Sequence, residues 1–168
     1  MHRTIVWRTM FKYLIPLFFL ALTFQAFSQS EAYASDKAKK LAVKSPFEKI
    51  WDEELPAEVV YKDSEIIAFV PLRRQTPVHF LIVPKKRIPT IADLEDADIH
   101  LIGKMYKVAR DLAKEYNIAE TGYRLSMNTN EDSGQSVFHI HLHLLGGMKV
   151  GPMVTQTYVD PRKKKEDK

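Results

Sequence analysis

The chain has 168 residues, 45% apolar and 27% charged, with no cysteine. That balance fits one globular domain and excludes wholesale disorder, a multi-span membrane protein, disulfides, a thiolate nucleophile and thiolate-ligated zinc. The net charge of +4 would suggest an acidic partner if it lay on the domain, but Arg3, Arg8 and Lys12 supply three of those charges from a leader without Asp or Glu.

Residues 1–28 read as a secretory signal peptide. Basic residues up to Lys12 precede an apolar run from Tyr13 to Phe27, followed by small side chains around Ala26–Ser28 or Ala32–Ala34. The run is roughly 15 residues, short of the ~20 that span a bilayer. The expectation is therefore an exported protein, periplasmic or secreted, with an uncleaved membrane anchor as the alternative. Residues 29–45 are polar, rich in Ala and Lys and without an apolar period, and are expected to be a linker. The folded domain is expected over 46–160, entered through Phe47–Trp51. Val59–Tyr61 and Ile66–Val70 read as strands joined at Lys62-Asp63-Ser64. A third strand, Val78–Val83, lies between Pro77 and Pro84. Leu101, Met105, Val108 and Leu112 are spaced +4, +3, +4, one face of a helix. Asp96 or Asp98 is expected to cap it, and Asn117 and Gly122 to end it. Tyr123–Asn128 alternates as a half-buried strand, residues 129–136 are turn chemistry, and Val137–Leu145 is a strand ended by Gly146-Gly147. Residues 161–168 form a basic, disordered tail; without interleaved aromatics it does not suggest a nucleic-acid surface. Strands, one long helix and further strands make an α+β domain with a largely antiparallel sheet.

Three of the six histidines fall within five residues, His139, His141 and His143. On a strand all three would emerge on one face while Ile140, Leu142 and Leu144 enter the core. The preceding turn, with Gly134, Gln135 and Ser136, can offer N–H groups and a hydroxyl to an anion. Imidazoles titrate near neutrality, so one can act as a neutral nucleophile while a neighbour gives up a proton. Three nitrogens at i, i+2, i+4 can also ligate a transition metal. The residues alone leave phosphate chemistry and metal binding both open. A purely structural role would require partners for three buried rings. His100 is expected to be exposed, Phe47 and Trp51 to be core, and Gly103 to permit close helix packing.

The run Gln135-Ser-Val-Phe-His-Ile-His-Leu-His-Leu-Leu-Gly-Gly147 resembles the signature of the histidine triad (HIT) family, in its Hint-like nucleoside-phosphoramidase branch. The similarity extends through Pro46-Phe-Glu-Lys-Ile50 and Pro77-Val-His-Phe-Leu-Ile-Val-Pro-Lys-Lys86 to Asn128, about residues 46–148. The resemblance implies a HIT-like fold, a homodimer, and hydrolysis of nucleoside 5′-phosphoramidates or related nucleotide conjugates through a covalent nucleotidyl-histidine. His143, where another branch has glutamine, favours hydrolases over nucleotidyltransferases. By position His141 is implied as nucleophile, His143 as the group beside the phosphate and leaving group, and His139 and His79 as orienting histidines. Ser136 is implied near the leaving group, and Asn128, Gly134 and Gln135 along phosphate and ribose. No metal or other cofactor, no nucleic acid and no lasting membrane insertion is implied; zinc-bearing relatives use cysteine pairs absent here. One departure stands out. The family commonly has a ribose-holding aspartate eight residues before His79, and this chain has Pro71, with Arg73 and Arg74 nearby. That departure keeps a second reading open, an exported nucleotide- or phosphate-binding module with weak or no catalysis; a histidine-triad metal-binding domain is the third.

Overall fold

The computed structural model describes residues 29–154. The leader at 1–28 and the tail at 161–168 lie outside the described residues. Contacts divide the chain after Val43. In the first unit, α1 (Glu31–Leu41) stands where a linker was expected. Ser30 caps it, its Oγ accepting the Tyr33 N–H at 3.2 Å, and Lys40 pairs with Asp36 one turn away at 2.7 Å. Alanine and lysine are good helix formers, which sustains α1 although none of its residues is buried. The absent apolar period was thus a correct sign of exposure and no sign against helix.

The second unit begins at Lys44, and its first helix, α2 (Pro46–Trp51), is started by Ser45. Ser45 Oγ accepts the Glu48 N–H at 3.1 Å while the Glu48 carboxylate accepts the Ser45 N–H at 2.7 Å. This reciprocal box, with proline at the first helical position, pins the chain's entry into the domain. Ser45 therefore belongs to the domain and not to a linker.

Five strands, β1 (Val59–Lys62), β2 (Ile66–Phe69), β3 (Val78–Pro84), β4 (Tyr123–Ser126) and β5 (Leu142–Gly146), form one antiparallel sheet in the order β1-β2-β3-β5-β4. The Asp63 carboxylate closes the first hairpin by accepting the Glu65 and Ile66 N–H groups, both at 2.8 Å. The long helix α3 (Ile99–Glu115) buries Leu101, Met105, Val108 and Leu112 against Phe80, Ile82, Leu142 and Leu144. Asp98 occupies its N-cap but makes no capping bond; its carboxylate takes the Lys86 ammonium at 2.7 and 2.8 Å. Its charge still meets the positive helix end. At the other end Asn117 adopts φ 56°, and the N–H groups of Ile118 and Asn117 bond Ala113 O (2.9 Å) and Lys114 O (3.1 Å). This is a Schellman closure with asparagine in the left-handed position.

Strand alternation puts Ile67, Phe69, Leu81 and Val83 on the opposite face, where Phe47 and Trp51 cover them. The same face carries His79 and His143, because His143 is the register partner of Leu81 and His79 that of Leu145. The last strand is shorter than its pattern suggested. Its ladder with β3 ends at Ile82↔Leu142, and the segment after β3 then engages residues 138–140 sideways. Arg87 Nε donates to Phe138 O at 3.1 Å, His139 Nε2 meets Pro84 O at 2.8 Å, and Ile140 N–H meets Ile88 O at 2.8 Å. Only His143 of the three histidines lies within a strand, so strand alternation does not place His139.

Candidate active site

Four imidazoles line up through ring contacts: Phe47 lies 5.8 Å from His139 and 5.1 Å from His141, His141 lies 5.1 Å from His143, and His143 lies 5.3 Å from His79. Their protons follow from their partners. The Gln75 N–H donates to His79 Nδ1 at 3.1 Å, so neutral His79 carries its proton on Nε2 and gives it to His143 Nδ1 at 3.0 Å. His143 is thereby left with its proton on Nε2. His141 bonds the His139 carbonyl through Nδ1 at 2.8 Å. A carbonyl only accepts, so Nδ1 holds the proton and Nε2 presents a lone pair. His139 is set the opposite way, with Nε2–H donated to Pro84 O at 2.8 Å and Nδ1 facing the Ser45 hydroxyl at 3.0 Å.

Burial keeps all four neutral. His139, His141 and His79 are buried and His143 is half-buried. Desolvation pushes His139 down to about 4, and it pushes His143 to about 4, where the neighbouring His141 and His79 rings also disfavour its charged form. Desolvation also lowers His141, and lowers His79 with a contribution from the Arg74 guanidinium. A neutral imidazole with a free lone pair is what nucleophilic attack needs.

Ser45, Glu48 and Arg87 were not singled out from sequence, yet they hold this arrangement. Arg87 pairs with Glu48 at 3.2 Å, Glu48 fixes Ser45, and Ser45 fixes His139. The Ser-x-x-Glu spacing at 45–48 was the available signal. Phe47, expected in the core, is buried there and also packs on both His139 and His141.

The loop before the histidines is more self-contained than expected. The Gly134 N–H bonds Glu131 O at 2.8 Å and the Gln135 N–H bonds Asn130 O at 3.1 Å, so these two amides close the loop and are not open to an anion. The Gln135 side chain is buried. Its Oε1 accepts the Asn130 N–H at 2.8 Å, and its Nε2 donates to Pro89 O (2.8 Å) and Val137 O (3.2 Å). Gln135 thus shapes the loop from within. Gly134 has φ +75°, which a side chain rarely tolerates. Ser136 stands exposed in this loop, and Asn128 is half-buried two residues past Ser126, the register partner of His143. Among the described residues no three His, Asp or Glu side chains converge as metal ligands. The ring nitrogens bond to one another and to the main chain instead. His100 lies away from this group, exposed on α3 and bonded to Glu65 at 3.1 Å.

Phe47 also forms one wall of an open recess of about 900 Å³, together with Ile50, Phe69, Leu81 and Pro71. The site therefore pairs a row of neutral imidazoles with an adjoining apolar chamber.

A HIT domain family model matches residues 52–150. The purine nucleoside phosphoramidase of Escherichia coli (strain K12) is 45% identical over 114 residues, 68% of this chain and 96% of that protein. The crystal structure of a HIT family hydrolase from Legionella pneumophila Philadelphia 1 superposes with a TM-score of 0.62 at 47% identity, over 63% of this chain and 95% of its own. A HIT family hydrolase from Clostridium thermocellum gives 0.64 at 38% identity, over 66% and 96%.

Proposed function

Because the chain belongs to the HIT domain family, we propose that this hydrolase cleaves the P–N bond of purine nucleoside 5′-phosphoramidates through a covalent intermediate on His141. The observation that carries the reading is the pair of opposite tautomers at the centre of the row. His141 offers an Nε2 lone pair, and His143 beside it offers an Nε2–H backed by His79. In the first step His141 Nε2 attacks the α-phosphorus and the P–N bond breaks. Its electron pair leaves on the amine, which takes a proton delivered from solvent through His143 Nε2. In the second step water attacks phosphorus, the P–Nε2 bond breaks, and the water proton leaves to solvent by the same route through His143, releasing the nucleoside monophosphate. Splitting one displacement into two lets the same imidazole pair serve as acid and then base. The recess lined by Phe47, Phe69 and Leu81 suits a planar base.

The test is incubation of the full chain with adenosine 5′-phosphoramidate, following AMP and amine release and quenching early samples for mass analysis. A chain heavier by one adenylyl group, chased away by water, is expected. No product and no adduct would sink the reading.

The same reading includes a homodimer. Ile99, Gly103 and Tyr106 follow one another at +4 and +3 on α3, with the two apolar side chains 55% and 48% exposed. A Cβ at Gly103 would meet nothing within 4 Å, so no contact among the described residues accounts for a glycine that costs a helix about 1 kcal/mol relative to alanine. A second copy packed closely on this stripe accounts for both features. Light scattering is expected to give twice the chain mass, and Gly103→Arg, which suits a helix but blocks close approach, is expected to give the single mass. A wild-type monomer at micromolar concentration would remove the dimer.

A further inference from the structure

The acceptor that orients the nucleophile lies outside the sheet. His141 gives its Nδ1 proton to the His139 carbonyl at 2.8 Å, and His139 lies beyond Ile82↔Leu142, the last pair of the ladder. Its ring is held at both nitrogens instead, with Nε2–H donated to Pro84 O at 2.8 Å and Nδ1 at 3.0 Å from Ser45 Oγ. A neutral ring protonated on Nε2 has only a lone pair on Nδ1, so the serine hydroxyl donates, while its oxygen accepts the Glu48 N–H at 3.1 Å. Ser45 and His139 are both buried, so neither finds a ready substitute partner in solvent.

The serine is itself clasped. One carboxylate oxygen of Glu48 takes the Ser45 N–H at 2.7 Å and meets Arg87 Nη1 at 3.2 Å, and Arg87 Nε donates at 3.1 Å to the carbonyl of Phe138, the residue before His139. The path from Phe138 through Arg87, Glu48 and Ser45 thus returns to His139 and encloses the stretch of chain that carries the acceptor carbonyl. Helix capping accounts for the main-chain bonds of Ser45 and Glu48. It does not account for a hydroxyl proton given to a histidine ring. Which nitrogen of an imidazole keeps the lone pair is set by the partner of the other. If the His139 ring turns, its carbonyl leaves His141 Nδ1 and the lone pair is no longer confined to Nε2. We propose that Ser45 is a positioning residue for the nucleophile: its hydroxyl, aimed by Glu48 and Arg87 at His139 Nδ1, holds the His139 carbonyl where it takes the His141 Nδ1 proton. This rests on the hydrolase reading above and deepens it, tying the tautomer of His141 to a side chain at the entrance of the domain.

The experiment compares the full wild-type chain with Ser45→Ala, Ser45→Gly and Ser45→Thr. It follows turnover of saturating adenosine 5′-phosphoramidate, AMP binding by calorimetry, and the ring nitrogen signals of the histidines by NMR. Alanine and glycine are both expected to lower kcat about tenfold while AMP affinity stays within about twofold. Both should replace the single Nδ1–H form of His141 with a mixture of tautomers. Threonine keeps a hydroxyl and should restore turnover and tautomer together. Glycine caps a helix nearly as well as serine, and alanine does not. The glycine variant therefore keeps the start of α2, and a capping role alone predicts a loss in Ser45→Ala that Ser45→Gly escapes. Wild-type turnover in Ser45→Gly, an unchanged His141 tautomer there, or a loss that Ser45→Thr fails to restore overturns the assignment. Failure of the hydrolase reading has a different mark, the absence of turnover and adduct in wild type, and the nitrogen signals still report whether Ser45 sets the tautomer.

Discussion

His141→Ala is expected to lower turnover of adenosine 5′-phosphoramidate by at least about 10³-fold, equivalent to ~4 kcal/mol of barrier, and to abolish the adenylylated intermediate. His143→Ala should behave differently. It removes a proton donor, for which water is a poor substitute, so a loss of about 10²-fold is expected while the adduct still forms. The contrast follows from the tautomers, since the lone pair resides on His141 and the mobile proton on His143. His141 is buried and packs edge-on against Phe47 at 5.1 Å, so alanine there also leaves a hole. His141→Asn fills part of it and keeps an N–H for the His139 carbonyl without supplying a nucleophilic ring nitrogen. If both His141 variants fold and turn over substrate like wild type, His141 is not the nucleophile. If His143→Ala also loses the adduct, the two imidazoles do not divide the work as assigned.

The two sides of the site were unequally legible in the sequence. Helical spacing was enough for α3, alternation for β4, and short apolar runs bounded by turn residues for β1 to β3, of which β2 and β3 are buried on both faces. Of the three histidines periodicity placed only His143, the one that lies within β5. It failed at His139, because a run of alternating residues looks like a strand whether or not a partner strand is there to pair with it. Here β3 ends at Pro84, and what holds residues 138–140 is a set of sideways bonds from Pro84, Arg87 and Ile88 that no local pattern encodes. Gln135 and Gly134 illustrate the same limit. Their residue types suit an anion-binding turn, but long-range partners at Pro89 and within the loop engage the donors first. Ser45 was legible and overlooked: a serine three residues before a glutamate, followed by proline, marks a helix start, and the polar stretch before it drew the boundary at 46, two residues past the start of the unit at Lys44. Its hydroxyl reaching His139, 94 residues on, could come only from the fold.

Acid should destabilise the domain well above the range where carboxylates protonate, and His139 should be the main cause. Its pKa in the fold is about 4 against an ordinary 6.5, because burial disfavours its charged form; Arg87 and His141 push the same way, against the pull of Pro84 O and Glu48. Above pH 6.5 both folded and unfolded chains hold it neutral and it contributes no pH dependence. Between pH 6.5 and 4 the unfolded chain binds a proton that the folded chain refuses, so stability falls as pH falls. At 1.36 kcal/mol per unit the whole shift amounts to about 3 kcal/mol for this fully buried ring. His143, His141 and His79 are lowered too and act in the same sense, His143 at a discount because it is half-buried. His100 acts in the opposite sense, since Glu65 raises its pKa, but it is exposed and screened by solvent. Urea unfolding at pH 7.5, 6.0 and 4.5 is therefore expected to show a loss of at least about 2 kcal/mol across the series. His139→Gln, which removes the titrating ring but keeps polar atoms for Ser45 and Pro84 O, should shrink that loss by more than half. A loss in His139→Gln equal to that of wild type would place the acid sensitivity elsewhere in the domain. The same neutrality that costs stability in acid is what the chemistry uses at pH 7, because His141, whose Nδ1 proton goes to the His139 carbonyl, keeps a lone pair on Nε2 only while its ring is uncharged.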